Sequence, residues 1–137
     1  MFARNSAATY ARVGIETNVS SADPHQLILM LFDGALLSVN SAAAAIESKD
    51  NPAKIRHISK AVEIITMGLQ ASLDASGGEL TDRLHALYDY MGMRLALANA
   101  QSNTAPLIEV SGLLRDLREA WAQISDATRA ETTAQEA

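Results

Sequence analysis

The spacing of apolar residues divides most of the chain into four helical segments. In each one, apolar side chains recur every three or four residues, which is the period of a helix face packed on a core. Short polar connections join the segments and favour antiparallel neighbours. The pattern therefore predicts an all-α protein, an antiparallel up-down-up-down four-helix bundle. The predicted core residues, in chain order, are Ile28, Leu31, Ala35, Val39, Ala42, Ile46, Ile55, Ile58, Val62, Ile65, Leu69, Leu73, Leu80, Leu84, Leu87, Met91, Leu95, Ala98, Leu107, Val110, Leu114, Leu117, Trp121 and Ile124.

Local signals mark where these helices begin and end. Asp23 is suited to cap the first helix, with Pro24 in its first turn and Gln26 placed to complete a capping box. Asn51 followed by Pro52 repeats the start signal for the second helix, because asparagine accepts hydrogen bonds from free amides. The run Ser76-Gly77-Gly78 ends that second helix.

The two ends of the chain lack the helical pattern and suggest three regions. Residues 1–20 carry no sustained period and are predicted to form a mobile N-terminal arm. Residues 21–126 form the bundle. Residues 127–137 contain no large apolar side chain to bury, so they cannot offset the entropy of ordering and are predicted to be a frayed or disordered tail.

Two helices carry a second apolar stripe in addition to the one predicted for the core. At about 100° per residue, the second stripe of helix three points roughly 110° from its core stripe, and that of helix two roughly 155°. Methionine suits such a surface because its flexible side chain adapts to different anchors. We predict a partner-binding surface from these stripes and two residues of the arm, namely Tyr10, Val13, Ile64, Met67, Ala71, Ala86, Tyr90, Met93 and Leu97.

Composition narrows the classes of partner. A chain of 137 residues is long enough for one domain. Its formal charge of −5, without a basic patch, argues against a nucleic-acid partner. The N-terminus lacks the apolar run of a signal peptide, and no stretch reaches the roughly 20 apolar residues that span a bilayer. We therefore expect a cytoplasmic protein with no membrane insertion.

The side chains that could carry chemistry are dispersed. The sequence has no cysteine, which excludes disulfides and thiol catalysis. His25, His57 and His85 fall in different segments and lack the spacing of a helical metal pair. Asp82 and Asp89 share a helix face, which a solvated surface explains. We expect no enzyme, no metal and no cofactor.

Two alternatives to a binding protein stay open on these residues. In the first, a phosphotransfer domain, His57 lies roughly 125° off the inner face of helix two with Lys60 one turn away to steady a phosphoryl group. Ala61 stands where such domains usually have glycine. In the second, a purely structural protein, the surplus apolar residues pack on the arm, at helix edges or in a weak homodimer.

A set of short fragments, in order along nearly the whole chain, points to a family. These are Tyr10, residues 21–28 (SADPHQLI), 31–35 (LFDGA), 77–80 (GGEL) and 87–91 (LYDYM), then Arg94, Leu95, Ala98, Asn99 and residues 117–121 (LREAW). Together they resemble the FliS family of flagellar export chaperones, which bind flagellin. Phe32 stands where many members have tyrosine, so only a local hydrogen bond would differ.

The resemblance implies an antiparallel four-helix bundle in the bacterial cytosol that is not an enzyme. It implies that the disordered C-terminal segment of flagellin becomes helical in apolar grooves of the bundle, which prevents premature polymerisation. It also implies that the loaded complex is presented to the flagellar export gate. We further hypothesise that Tyr10 and Val13 cover a groove in the free protein and are displaced by the client.

Overall fold

The computed structural model describes the backbone of residues 23–136 and the side chains of residues 23–124. Helix α1 spans Pro24–Glu47, α2 spans Asn51–Glu63, α3 spans Gly78–Gln101 and α4 spans Ala105–Glu136. Helix α2 continues without a break into a π-helical segment, Ile64–Gln70, and a 3₁₀ turn, Ala75–Gly77, precedes α3. Within residues 23–136 there is no strand. The predicted all-α four-helix bundle is confirmed.

The predicted start of α1 is confirmed in detail. The Asp23 carboxylate accepts a hydrogen bond from the backbone amide of Gln26 at 2.8 Å, and the Gln26 side chain accepts from the Asp23 amide at 3.3 Å. Pro24 occupies the first turn, where its missing amide is no loss. Two amides at the helix start thus have side-chain partners.

The start of α2 differs from the prediction by one residue. Its N-cap is Asp50 rather than Asn51, and the Asp50 carboxylate accepts from the amide of Ala53 at 3.1 Å. Asn51 is already helical. The predicted Ser76-Gly77-Gly78 run lies directly before α3, but the second helix ends earlier than predicted, at Gln70. Gly78 has a φ of 66°, a left-handed value that glycine adopts without strain.

The core lies between all four helices, with α1 packed on both α2 and α4. The predicted core faces of α1 and of the first half of α4 are confirmed, except that Ile46 is only partly buried. Leu27 and Phe32, which lie outside the predicted core face of α1, are also buried. The fully buried side chains include Leu31, Ile64, Ile65, Met91, Leu95, Leu107, Leu114, Val39 and Val110.

The predicted core face of the second helix is buried at Ile58, Ile65 and Leu69, but the prediction is wrong at two other isoleucines. Ile55, predicted to be in the core, is 48% exposed, whereas Ile64, predicted to bind a partner, is 1% exposed. The reason is the close approach of α1. A Cβ on Gly68 would lie 2.8 Å from a methyl carbon of Leu31, and Ala61 is fully buried. Because Ala61 and Gly68 face α1, the buried face is centred on these two small residues. Ile64 lies about one helical turn from each of them and is therefore buried.

A buried lysine joins the start of α2 to the end of α3. Lys54 is buried, and its Nζ donates to the carbonyl of Asn99 at 2.9 Å and to the hydroxyl of Ser102 at 2.8 Å. A positive charge at a helix C-terminus interacts favourably with the carbonyl groups that have no partner within the helix. The charge is therefore satisfied although it is removed from water.

The prediction that no stretch is apolar enough to span a bilayer underestimated the apolar run in α1. Among the described residues, α1 is long and apolar enough by length and composition to cross a membrane. The core helix of a globular protein passes the same test, and Leu31, Ala35 and Val39 are fully buried in the bundle. The apolar run is thus accounted for by core packing.

The predicted terminal regions have different outcomes. The arm, residues 1–20, lies outside the described residues. Helix α4 continues in the backbone to Glu136, past the end of the apolar pattern at Ile124, because alanine, glutamate and glutamine favour helix. Fraying of residues 127–137 stays a prediction.

The reassigned face of α2 predicts a large difference between two isoleucines. Ile64→Ala should lower the free energy of unfolding by about 2–5 kcal/mol, because it leaves a cavity in a packed core. The matched control, Ile55→Ala on the exposed side of the same helix, should cost less than about 1 kcal/mol. Urea denaturation followed by circular dichroism measures both, and equal losses would contradict the assignment.

Candidate binding surfaces

An apolar groove opens at the end of the bundle where α1 begins, α2 ends and α3 begins. We call it the end groove; its volume is about 250 Å³. All four helical segments contribute to its walls. Among its lining residues, only Ser72 and Tyr88 carry a hydroxyl group. Its lining residues are Ile28, Phe32, Leu69, Ser72, Leu73, Leu80, Leu84, Tyr88, Leu117, Ala120, Trp121 and Ile124.

The mouth of the end groove exposes two large side chains that were predicted to be in the core. Leu80, in the first turn of α3, is 67% exposed, and Ile124 on α4 is 53% exposed. Each stands at the end of a predicted apolar stripe, where no further layer of residues 23–124 covers it. A residue at the end of a stripe is therefore a signal for such a groove, and the sequence prediction missed it.

Trp121 is held as a rigid wall of the end groove. Its indole Nε1 donates to the carbonyl of His25 at 2.9 Å, and the two rings lie 5.1 Å apart at 31°. The Nδ1 atom of His25 is buried without a hydrogen-bond partner among the described residues. Burial also raises the pKa of Tyr88, which keeps its phenol neutral in the groove wall.

The second stripe predicted on α3 lies largely on the surface. We call Ala86, Tyr90, Met93 and Leu97 the outer stripe; the first three are exposed, Met93 at 68%, and Leu97 is partly buried. The stripe begins two residues after Leu84 of the end groove, which is about 200° further around the helix, so the two apolar surfaces lie on different faces of α3.

A polar clasp fixes the outer stripe to α4. The Tyr90 hydroxyl donates to Glu109 at 2.7 Å, and Arg94 Nε donates to the other carboxylate oxygen at 2.6 Å. The hydrogen bond from Tyr90, and after it Arg94, holds the pKa of Glu109 below its usual value, and the same hydrogen bond raises the pKa of Tyr90. Tyr90 is thus positioned by a polar contact and presents its ring at the surface.

The remaining predicted binding residues are distributed unevenly. Met67 and Ala71 on the α2 side are exposed, as predicted. Ile64 is a correction, since it belongs to the core for the reason given above. Tyr10 and Val13 lie outside the described residues.

Residues with catalytic or metal-binding side chains do not come together in the described part of the chain. No group of three or more histidines, cysteines or acidic residues that could hold a metal occurs there. Asp89 accepts a hydrogen bond from the Gln70 side chain at 2.8 Å, which links α3 to the π-helical segment. His57 is partly buried.

Comparisons with known proteins agree on one family. The family model described as flagellar protein FliS matches residues 6–128. The chain is 46% identical over 126 residues to the flagellar secretion chaperone FliS of Salmonella typhimurium, covering 91% of this chain and 93% of that one. It is 40% identical over 122 residues to FliS of Escherichia coli, covering 88% and 90%. It is 42% identical over 126 residues to the flagellar secretion chaperone FliSB of Pseudomonas aeruginosa, covering 91% and 99%.

The polar clasp predicts a measurable change in the titration of Glu109. Tyr90→Phe removes the hydrogen bond that contributes most to its lowered pKa, so the pKa of Glu109 should rise toward the usual glutamate value. Because the folded-state pKa is lowered, the stabilisation is present above the unfolded value and disappears as the pH falls through the folded one. Side-chain carboxyl NMR measures this, with Glu119 as the internal control; an unmoved Glu109 titration would contradict the clasp.

Proposed function

Because the chain belongs to the FliS family of flagellar secretion chaperones, we propose that it binds the C-terminal segment of flagellin in the end groove and along the outer stripe of α3. The family consists of export chaperones and not of enzymes. The observation that carries the proposal is the end groove, an apolar cleft whose mouth exposes Leu80 and Ile124.

The chemistry of the end groove fits an amphipathic helix with apolar anchors. A leucine-sized anchor contributes roughly 1.5–3 kcal/mol when it is fully buried. Ordering a flexible segment opposes binding, so several anchors are needed for useful affinity. The end groove alone is too small for several such side chains, and the outer stripe, on another face of α3, supplies additional surface to a client segment that wraps around the bundle.

The two surfaces together suit a long client segment that wraps around the bundle, because they lie on different faces of α3. From Leu80 to Leu97 the α3 axis extends about 25 Å, since an α-helix rises about 1.5 Å per residue. A client helix that lies along one face can place anchors every three or four residues. A segment that is disordered when free and helical when bound suits this surface, because it can wrap around the bundle and still be released.

This mode of binding explains how a chaperone can keep a filament subunit exportable. Covering the segment that assembles the filament prevents premature polymerisation in the bacterial cytosol. Contacts that are individually modest allow the client to be removed at the export gate without covalent chemistry. We propose presentation of the loaded complex to the gate on this basis.

The N-terminal arm is well placed to compete with the client. Residues 1–22 join α1 at Asp23, two residues before His25, whose ring lies against Trp121 in the groove wall. We propose that Tyr10 and Val13 cover the end groove in the free protein. Such a cover lowers the apparent client affinity in proportion to the covered fraction.

The phosphotransfer hypothesis for His57 and Lys60 is not supported. The related proteins are named as secretion chaperones, and the imidazole of His57 is partly buried. A weak homodimer that covers the outer stripe stays a prediction, and sedimentation of the free protein would detect it.

Client binding should depend on the two surfaces and not on the bundle as a whole. Leu80→Glu and Met93→Glu should each weaken binding of a flagellin C-terminal peptide about tenfold or more, because a carboxylate replaces buried apolar contact. The matched control is Leu37→Glu, at an exposed leucine of α1, and this variant should bind the peptide like the wild type. Isothermal titration calorimetry gives the affinities, and circular dichroism should show unchanged helicity. Wild-type affinity in both test variants would refute the proposed site.

The covering role of the arm can be read from the single tryptophan of the chain, Trp121. Tyr10→Ala should shift its fluorescence emission to the red in the free protein and raise the apparent affinity for the flagellin peptide. Ser20→Ala, in the same arm but without an apolar anchor, should do neither. Unchanged emission and unchanged affinity in Tyr10→Ala would rule this role out, while leaving the client site itself intact.

A further inference from the structure

We propose that a notch between α1 and α4 binds an amphipathic helix of a second partner protein, one that carries an acidic side chain facing Arg115. The notch has a volume of about 200 Å³ and is lined by Asn40, Ala43, Leu107, Ile108, Ser111 and Arg115. This inference does not rest on the proposed flagellin site, because none of these residues lines the end groove.

The apolar part of the notch is accessible. Ile108 stands at its rim and is 67% exposed, while Leu107 is buried beside it. Asn40 and Ser111 join the two helices at its floor through a side-chain hydrogen bond of 3.2 Å. The notch therefore combines an exposed apolar anchor point with a floor that is held together across the seam.

Gly112, next to the notch on α4, leaves open space in which an occupant can approach closely. It lies inside α4, where glycine is less favourable than alanine, and a Cβ built on it meets no atom within 4 Å. The fold of this chain therefore does not require a glycine here. Gly112 lies on the same side of the helix as Ile108 and Arg115, at spacings of four and three residues. The missing side chain leaves room for a second helix to cross closely.

Arg115 supplies the expected sign of charge. The guanidinium is exposed, and within residues 23–124 it forms no ion pair, whereas Arg94 pairs with Glu109 and Arg118 pairs with Asp33. An unpaired cation beside an apolar anchor point favours a partner helix with a carboxylate about one turn from its apolar residue.

The position of the notch favours a partner other than the client. The notch and the end groove use opposite flanks of α4. The exposed face between them carries Asp116, Glu119 and Gln123, which offer no apolar contact to a continuous helix. A protein bound at the notch therefore leaves the end groove free, and both can be occupied at once.

The first test identifies what touches the notch. A photo-crosslinking amino acid, benzoylphenylalanine, replaces Ile108 in the full chain expressed in flagellated cells, and Leu80 is replaced in parallel to report the end groove. We expect the Ile108 adduct to map by mass spectrometry to a helical segment with an acidic residue in a protein that is not the Leu80 adduct. An adduct with a second copy, with residues 1–22, or with the Leu80 client, or no adduct, overturns the proposal.

The second test measures specificity with purified protein and the cross-linked segment as a synthetic peptide. Gly112→Leu should weaken binding about tenfold, and Arg115→Glu about fivefold, with recovery when the acidic residue of the peptide becomes arginine. Gly92→Leu is the matched control, since that glycine in α3 also faces open space. Affinity for the flagellin peptide should not change in any variant. Equal effects of Gly112→Leu and Gly92→Leu, or no recovery by charge exchange, overturn the proposal.

Discussion

The close contact of α1 with α2 at Leu31 and Gly68 is the constraint on which the rest of the bundle depends. The absence of a side chain on Gly68 lets a methyl group of Leu31 pack directly on it, and this close packing favours the observed rotation of the second helix about its axis. The rotation places Ile64 in the core and Ile55 outside. It also directs the end of α2 toward α3, where Leu69 and Leu73 contribute to the end groove.

The π-helical segment contains Gly68 and therefore makes this contact itself. Its wider turn shifts the phase of the backbone, as in the bond from the Ala71 amide to the Thr66 carbonyl at 3.2 Å. Hydroxyl groups bond carbonyls around it: Thr66 donates to Val62 at 2.8 Å and Ser72 to Gly68 at 2.6 Å. Such segments are frequent at functional sites, and here the altered phase leads directly into residues that line the end groove.

The hydrogen bonds and ion pairs between helices are placed so that the end groove stays open. Lys54 ties α2 to the end of α3, the clasp at Glu109 ties α3 to α4, and Asp33 ties α1 to Arg118. At the end groove, the hydrogen bond from the Trp121 indole to the His25 carbonyl fixes one wall. The bundle thus retains a defined shape while one apolar cleft is left without a covering layer among the described residues. In the proposed function, this combination provides the surface on which the client segment becomes helical.

Signals that act within a few residues were readable directly. The capping box at Asp23, the glycine break before α3 and the number of helices depend on local hydrogen bonding and periodicity, and the ordered fragments of the family depend on residue identity alone. The surplus of apolar residues on α3 was also evident, and Met93 lies on the surface as that surplus indicated.

Burial at particular positions was decided only by tertiary structure, because it depends on what lies opposite. A helical period cannot tell that small residues turn α2 toward α1, so Ile64 was assigned to the wrong face. Nor can it tell where a stripe runs out of neighbours, so Leu80 and Ile124 were taken as core although they rim the groove. The sequence alone determines which residues are apolar. The packing of the four helices determines which of those residues stay exposed to a partner.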